Sequence, residues 1–350
     1  MHRFLLYICF VSSLFGNITY LSPAGVGLYV EAGYAPAWRS CLLGDPIIWT
    51  VSHGSTVDPG VSTLDHGLFH PNQGLTKIEA PGLRVRADLS ANRWGSVEGI
   101  FQGLYEWEFN KTVVHGRDWI GTSISPFAEG GAYLLSYDFM SFSHIDVEYH
   151  EHFNSVELNY LKHLSPRYYD YFSVSVIFGL RGIQSENSMN LTGPMEGDGV
   201  VDPSLDPIGT LYLNNKNRFI GAQIGGVLRY RITKKLYFEC PVKGAILGDI
   251  LDYQIKIFYS EESDVANQPR NITSYQDMDR VKAAMGYAAE ATPKFELHLG
   301  NIYLFAGGNL LYVHGVSPTS IQITQKNVLN VNSCGWIFIG SALIGLGLHI

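Results

Sequence analysis

The sequence predicts an all-β protein, a closed antiparallel transmembrane β-barrel of about 12 strands with long loops on one rim. Three observations predict it. The composition, with 37 Gly, 21 Tyr, 18 Phe and only 16% charged residues, favours strands over helices. Between residues 220 and 232, apolar side chains alternate with polar ones, and other strand-length segments repeat the pattern. Short turns alternate with long loops, as in barrels whose rims face different compartments.

The first 22 residues are predicted to be a signal peptide. A basic start at residues 1–3 precedes an almost wholly apolar run at 4–16, which is too short for a membrane-spanning helix. We therefore expect export, removal of residues 1–22, and a barrel over residues 23–350. An exported sheet that faces lipid must close on itself, because unpaired N–H and C=O groups at its edges are costly there.

The segments that alternate between apolar and polar residues give the expected strands, in the order of the chain. Segments with one apolar and one polar face are 26–34, 83–89, 97–107, 156–159, 172–181, 220–232, 236–242 and 281–290, followed by 297–313 and 336–350. Three long loops, at 36–78, 185–216 and 252–280, are assigned to the external rim because of their length. The final segment carries no Asp, Glu, Lys or Arg and ends on an apolar residue, which fits a closing strand.

Charge and motifs exclude several classes of function. The formal net charge of −8 argues against binding nucleic acid through its phosphates. The chain has no G-x-S-x-G elbow, nucleotide-binding loop or H-E-x-x-H motif, so we expect no enzymatic activity and no cofactor. The expected partners are the outer-membrane bilayer of a Gram-negative-type bacterium and small polar solutes or ions. Homo-oligomerisation is left open.

Charged residues on the polar faces of the predicted strands are the candidates for lining a pore, where rings of charge set ion preference. They are Arg84, Arg86, Asp88, Glu98, Glu106, Glu157, Arg181, Arg229, Arg231, Glu239, Lys243 and Glu290. An equally weighted alternative is that these groups pair across neighbouring strands and brace a plugged interior.

A second set of candidates alternates along one segment and shares one face of a strand: His144, Asp146, Glu148, His150 and His152. Imidazole and carboxylate groups are ligands for divalent metals, which makes metal binding a hypothesis here. Residues two apart on a strand lie about 6.5–7 Å apart, too far for all five to reach one ion. A hydrated stripe that lines the lumen is therefore the favoured interpretation.

The last 200 or so residues resemble the planctomycete-type beta-barrel porins, family seven. The resemblance rests on the pieces VELN at 156–159, FGLR at 178–181, NRFIGAQIG at 217–225 and KGA at 243–245, and on their order. One departure is Gly182, where that family has an aromatic residue. The resemblance implies an outer-membrane barrel that acts as a porin.

Three functional hypotheses remain in competition. The first is a porin for passive diffusion of small polar solutes or ions. The second is a non-conducting structural or surface-display barrel with a plugged lumen, for which complete charge pairing inside, with residues 36–78 or 185–216 entering the lumen, would be diagnostic. The third is a secreted soluble β-sandwich, in which the apolar faces meet each other instead of lipid.

Overall fold

The computed structural model describes residues 27–41, 48–53, 62–69, 79–92, 95–114, 119–122, 144–164, 171–194, 208–263, 270–316 and 335–349. Its strands are β1 Gly27–Tyr34, β2 Ala37–Cys41, β3 Ile48–His53, β4 Ser62–Phe69, β5 Glu79–Ala80, β6 Leu83–Asn92, β7 Gly95–Val114, β8 Trp119–Thr122, β9 His144–His163, β10 Phe172–Pro194, β11 Ile208–Arg231, β12 Leu236–Ser263, β13 Arg270–Ala291, β14 Lys294–Leu299, β15 Ile302–Val316 and β16 Gly335–His349. No helix in the described part of the chain is long and apolar enough to span a membrane.

The main sheet closes into a ring of antiparallel strands. Going around it, the order is β1, β6, β7, β9, β10, β11, β12, β13, β15 and β16, and β16 pairs with β1 to complete the circle. The closed antiparallel barrel that the sequence predicts is confirmed. Closure gives the backbone groups of the edge strands a partner, which is the condition for crossing a bilayer.

The sheet contains 13 strand segments, six of which continue one another in pairs: β1 with β2, β5 with β6, and β13 with β14. In the part of the chain that the structure describes, the ring therefore consists of ten continuous strands. Each interruption contains a proline, Pro36, Pro81 or Pro293. Proline has no N–H to give to the sheet, so the hydrogen-bond ladder breaks there while the chain keeps its course.

Short connections cluster at one end of the barrel and long ones at the other. The short-turn end holds the β6–β7 and β11–β12 connections, the tight turn at Gly300 (φ 84°), and both Tyr29 and His349. That turn divides the predicted strand 297–313 into β14 and β15. At the long-loop end, β3, β4 and β8 form a separate three-stranded sheet.

An apolar belt surrounds the barrel. Its outward-facing, exposed side chains include Leu89, Val97, Val156, Leu158, Phe178, Leu180, Ile220, Ile224, Val242, Ile246, Met285, Leu304, Leu310, Ile344 and Leu346. On β11 the belt covers residues 220–230, which matches the roughly 9–11 residues that a tilted transmembrane strand needs. Exposed tyrosines at its short-turn edge, Tyr160 and Tyr230, fit the aromatic girdle of such barrels.

The predicted loops at 185–216 and 252–280 are wrong in their bounds, because β10 to β13 run far beyond the belt towards the long-loop end. The sequence pattern does not indicate that these strands continue beyond the belt. Gln184, Ser185, Glu186 and Asn187 are polar in succession, so they do not show the alternation expected of a strand between lipid and water. The predicted loop 36–78 contains β2, β3 and β4, and the predicted signal peptide lies outside the described residues.

The interior has two parts, which we call the charged half and the apolar half. The charged half lies inside the belt towards the short-turn end. The apolar half lies beyond it towards the long-loop end, and its inner wall includes Ile145, Val147, Met189, Leu213 and Leu251 in one buried cluster.

Candidate functional site

The charged half is the feature that could carry function, and it collects most of the predicted pore-lining residues. Ten of them face the interior and are almost fully buried: Arg84, Arg86, Asp88, Glu98, Glu157, Arg181, Arg229, Glu239, Lys243 and Glu290. They face inward because their outward neighbours, such as Leu158 and Leu180, form the apolar belt. Strand alternation then leaves the inner positions for polar groups.

Arg86 is the centre of one group of ion pairs. Its Nε lies 2.5 Å from Glu98 Oε2, and its Nη1 lies 2.7 Å from Glu239 Oε1 and 3.5 Å from Glu31 Oε1. Its Nη2 is 3.6 Å from Asp88 Oδ2. One guanidinium therefore contacts four carboxylates that are themselves removed from water. Lys294, which contacts Glu31 and lies 3.5 Å from Glu239 Oε1, adds a second positive charge to the group.

A second group joins β9, β10, β12 and β13. Lys243 Nζ lies 2.7 Å from Glu157 Oε2 and 3.5 Å from Glu290 Oε2. Arg181 Nη2 lies 2.6 Å from Glu290 Oε2 and 3.6 Å from Glu157 Oε1. Arg84 links the two groups, because it lies on the same strand as Arg86 and 3.3 Å from Glu290 Oε1.

A third group lies at the short-turn end. Glu296 pairs with Lys294 at 3.0 Å and with Arg229 at 3.0 Å. The Arg229 guanidinium also stacks 4.6 Å above the ring of Tyr237, and His298 Nε2 lies 3.2 Å from Glu296 Oε2. Lys294 contacts Glu31 as well, which connects this group to the first.

These pairs cross the lumen and do not line an open channel. In the ring of ten continuous strands, β6 and β12 are five positions apart, so they lie opposite each other. Arg86 of β6 nevertheless lies within 2.7 Å of Glu239 of β12. The void beside Arg86, lined also by Lys243 and Lys294, has a volume of about 10 Å³, which is room for about one water molecule.

Three members of this network were not among the predicted candidates: Glu31, Lys294 and Glu296. A signal for Glu31 was present, because the alternation of β1 places it on the face opposite Val30. Lys294 and Glu296 follow Pro293, where the strand is interrupted and the facing of residues cannot be counted from the preceding segment. Conversely, Arg231 lies at the short-turn rim, with its guanidinium 5.8 Å from the Tyr171 ring, and not deep in the lumen.

The prediction that Glu106 lines the lumen is wrong, and a β-bulge explains why. The register of β7 against β9 shifts between Gln102 and Tyr105, and Leu104 has a positive φ of 62°. The extra residue exchanges the two faces of the strand. Tyr105 therefore turns inward and Glu106 turns outward, where it is 3.9 Å from His152.

The stripe on β9 is also on the outer surface, which corrects the interpretation that it lines the lumen. Asp146, Glu148 and His152 are exposed and His144 and His150 partly so, whereas the intervening Ile145, Val147, Tyr149 and Glu151 are buried. In this stripe His150 lies 3.6 Å from Glu108 of the neighbouring strand. Among the described residues, no group of three or more His, Cys, Asp or Glu side chains is arranged to hold a metal ion.

One serine–histidine contact joins residues that are far from any catalytic motif in the sequence. His163 Nδ1 lies 2.8 Å from Ser175 Oγ on the inner wall near the short-turn end. The adjoining void, lined also by Arg229 and Glu239, again measures about 10 Å³. Since this volume admits about one water molecule, the hydroxyl is not presented to a substrate-sized molecule.

The apolar half contains a single described ion pair on its inner wall, between Arg39 and Glu151. The hydroxyl of Tyr149 accepts a hydrogen bond from Arg39 Nη1 at 3.2 Å and donates one to Glu151 Oε2 at 3.1 Å. Burial raises the pKa of the Glu151 carboxyl above its ordinary value, and the nearby Arg39 charge only partly opposes this. Glu151 lies beyond the apolar belt, which begins on β9 at Val156.

No protein-family model matches the chain, and no curated protein sequence matches it. The solved structures that it resembles include the outer membrane protease OmpT from Escherichia coli, with 10% identity, a TM-score of 0.42, and coverage of 95% of this chain and 99% of that one. Another is Ail, the attachment invasion locus protein of Yersinia pestis, in complex with the heparin analogue sucrose octasulfate (9% identity, TM-score 0.25, coverage 93% and 100%). A third is a Pseudomonas aeruginosa FadL homologue, with 7% identity, a TM-score of 0.27, and coverage of 93% of this chain and 90% of that one. At these values the likeness carries no argument about activity, which must come from the geometry.

Proposed function

We propose that this chain is a non-conducting outer-membrane barrel of a Gram-negative-type bacterium, with a closed lumen and a functional surface at its long-loop end. The closed ring and its apolar belt support residence in a membrane. Strands alternating between short turns and long connections support an orientation with the long-loop end outward.

The observation that carries the proposal is the ion-pair network across the lumen. A passive pore needs a continuous water-filled path with charges along its wall. Here Arg86 meets Glu239 from the opposite side, and Lys243 reaches Glu157 at 2.7 Å. This favours the plugged barrel over the porin that the resemblance implies. Membership of that porin family stays a prediction, as does any oligomer.

The deciding experiment is conductance across a planar bilayer, using unboiled, detergent-extracted protein whose insertion is verified by co-flotation with liposomes. We expect no current steps from the natural sequence. The double variant Arg86→Ala/Glu239→Ala removes both side chains that meet across the lumen, and it is expected to give small, frequent steps. The matched surface variant Glu186→Ala/Lys216→Ala removes a pair on the outer wall and is expected to stay silent.

Discrete and reproducible steps from the natural sequence would contradict the proposal and restore the porin hypothesis. Localisation is tested separately by fractionation. A transmembrane barrel stays with the outer-membrane fraction through high salt and is released by detergent. Release by salt alone would instead support the soluble β-sandwich.

A further inference from the structure

The outer surface carries different charges at the two ends of the barrel. Among the residues whose side chains the structure describes, every exposed or partly exposed carboxylate lies beyond the belt at the long-loop end: Glu106, Glu108, Asp146, Glu148, Glu186 and Asp252. At the short-turn end, the accessible Lys, Arg, Asp and Glu side chains of that same part of the chain are all cations: Lys162, Arg231, Lys234 and Lys235. We call these four residues the cationic rim. None of them forms an ion pair with a described residue.

Backbone hydrogen bonds fix the connections that carry the cationic rim. Arg231 N donates to Tyr171 O at 2.8 Å, which joins the end of β11 to the residue before β10. In the β11–β12 connection, the Thr233 hydroxyl accepts a hydrogen bond from Lys235 N at 3.3 Å. The connection is therefore a tight turn, and it places Lys234 and Lys235 side by side at its tip, where both side chains are exposed.

The Arg231 guanidinium is held in place but keeps donors to spare. It lies 5.8 Å from the Tyr171 ring, and its Nε donates to Thr233 O at 3.4 Å. No described residue accepts a hydrogen bond from its two terminal nitrogens. Paired guanidinium donors match two oxygens of one phosphate, which makes arginine well suited to binding this group.

Exposed apolar side chains lie beside these cations. Leu164 and Tyr171, at the two ends of the β9–β10 connection, are 60% and 73% exposed, and Ile232, next to Arg231, is 43% exposed. Aromatic side chains are enriched where a bilayer meets water, and long basic side chains reach the head groups from apolar surface. The cationic rim therefore lies at the level of lipid head groups.

We propose that the cationic rim binds the phosphate groups of anionic phospholipids in the leaflet on the short-turn side. A phospholipid combines an anionic head group with acyl chains, so it matches both the cations and the apolar side chains beside them. A nucleic acid or an acidic protein would match the cations alone. This inference goes beyond the proposed function by naming a partner for the opposite end of the barrel. It rests on the membrane residence in that proposal and not on the closed lumen.

The test is native mass spectrometry of the folded protein, released from detergent micelles that contain equal amounts of phosphatidylglycerol and phosphatidylcholine. We expect the natural sequence to retain phosphatidylglycerol preferentially. Lys234→Gln/Lys235→Gln should lower the ratio of the two retained lipids about fivefold or more, since each cation near an anionic membrane surface contributes about a fivefold change. The matched control, Lys216→Gln/Lys256→Gln, removes two lysines from the outer wall at the long-loop end and should leave the ratio unchanged.

Folding of every variant is checked by its heat-modifiable mobility in gels, and all four substituted lysines are exposed or partly exposed. Equal retention of the two lipids by the natural protein would overturn the inference. A ratio in Lys234→Gln/Lys235→Gln equal to that of the natural sequence would also overturn it, because the preference would then arise elsewhere. Conductance by natural protein that still prefers phosphatidylglycerol would refute only the closed lumen.

Discussion

The two ends of β9 have opposite polarity, although they belong to one continuous strand. Near the short-turn end, Val156 and Leu158 face outward while Glu157 faces inward. Near the long-loop end, Glu148 faces outward while Val147 faces inward. The two faces of the strand do not exchange between these positions, since alternate residues keep the same face throughout. What changes is the chemistry of each face.

The environment outside the barrel accounts for the inversion. A strand sends successive side chains to opposite faces, so the surroundings of one face restrict what the other can hold. Within the belt the outer face meets lipid and must be apolar, which leaves the polar residues inside. Beyond the belt the outer face meets water, and the interior can then have an ordinary hydrophobic core.

The two interiors consequently depend on different physical terms. The charged half is closed by ion pairs, in which each removed partner leaves an uncompensated charge away from water. The apolar half is closed mainly by side chains such as Met189 and Leu213. Its buried polar groups include the Arg39–Glu151 ion pair and the uncharged Ser185 and Asn187. A substitution that removes a charge should therefore destabilise the charged half most, and one that removes apolar volume should destabilise the apolar half.

The largest effect is expected from Arg86→Met in the charged half. The change leaves Glu98, Glu239 and Glu31 without their shared guanidinium, and loss of one partner of a buried pair costs about 3–5 kcal/mol. We expect the free energy of unfolding, measured by urea titration of the protein in liposomes, to fall by that amount. The control is Arg218→Met on the outer surface, where Arg218 is 52% exposed and Asp252 is 3.9 Å away. A loss equal to that of the control would mean that the ion pairs do not hold the lumen closed.

The next effect tests the outer faces. Leu158→Arg places a charge in the middle of the belt on β9, and such a change at the bilayer midplane costs about 2–4 kcal/mol. Glu148→Arg introduces the same side chain on the same face of the same strand, ten residues earlier, where it meets water. Surface substitutions of this kind usually stay within about 0.5 kcal/mol. Equal losses in the two variants would show that the belt does not end between these positions.

The sequence was sufficient for the barrel and for most of its charged interior, because alternation is regular wherever the outer face meets lipid. The prediction from alternation failed where a bulge interrupts the strand and where the outer face does not meet lipid. Glu106 was misplaced by a bulge at Leu104, a one-residue event that no count of alternating residues reveals. The stripe from His144 to His152 is charged on its outer face because that face meets water, so its charges do not mark the lumen. Near Ser185 both faces of the strand are polar, so the sequence predicts a loop where β10 continues.

A smaller effect concerns the Arg39–Glu151 ion pair in the apolar half. Burial raises the pKa of Glu151 above its ordinary value of 4.5, so the folded protein binds more protons than the unfolded chain between these two values. Stability therefore falls as pH rises through that interval. Arg39→Met removes the charge that lowers this pKa, and the interval widens. We expect the variant to lose more stability at pH 8 than at pH 5, because the Glu151 carboxylate is then left buried without its compensating charge.

The comparison for this pH dependence is Leu213→Ala, which truncates an apolar side chain of the same half and changes no titrating group. Its destabilisation, about 2–5 kcal/mol for a buried leucine, should be the same at both pH values. A loss in Arg39→Met that is equally independent of pH would show that Glu151 is not the carboxyl left behind. The two variants thus separate loss of charge compensation from loss of packing within one core.

The smallest effect is expected on the outer wall of the long-loop end. His150 and Glu108 lie 3.6 Å apart, but their side chains are 42% and 60% exposed. Pairs in water contribute about 0–1 kcal/mol, so a double-mutant cycle with His150→Ala and Glu108→Gln should give a coupling energy below about 1 kcal/mol. Where the imidazole carries a charge, added salt should reduce that coupling further, because exposed charges are screened. A coupling energy of about 3 kcal/mol or more, the scale of a buried pair, would mean that this face is covered in the membrane. The polarity inversion along β9 would then not follow the boundary between lipid and water.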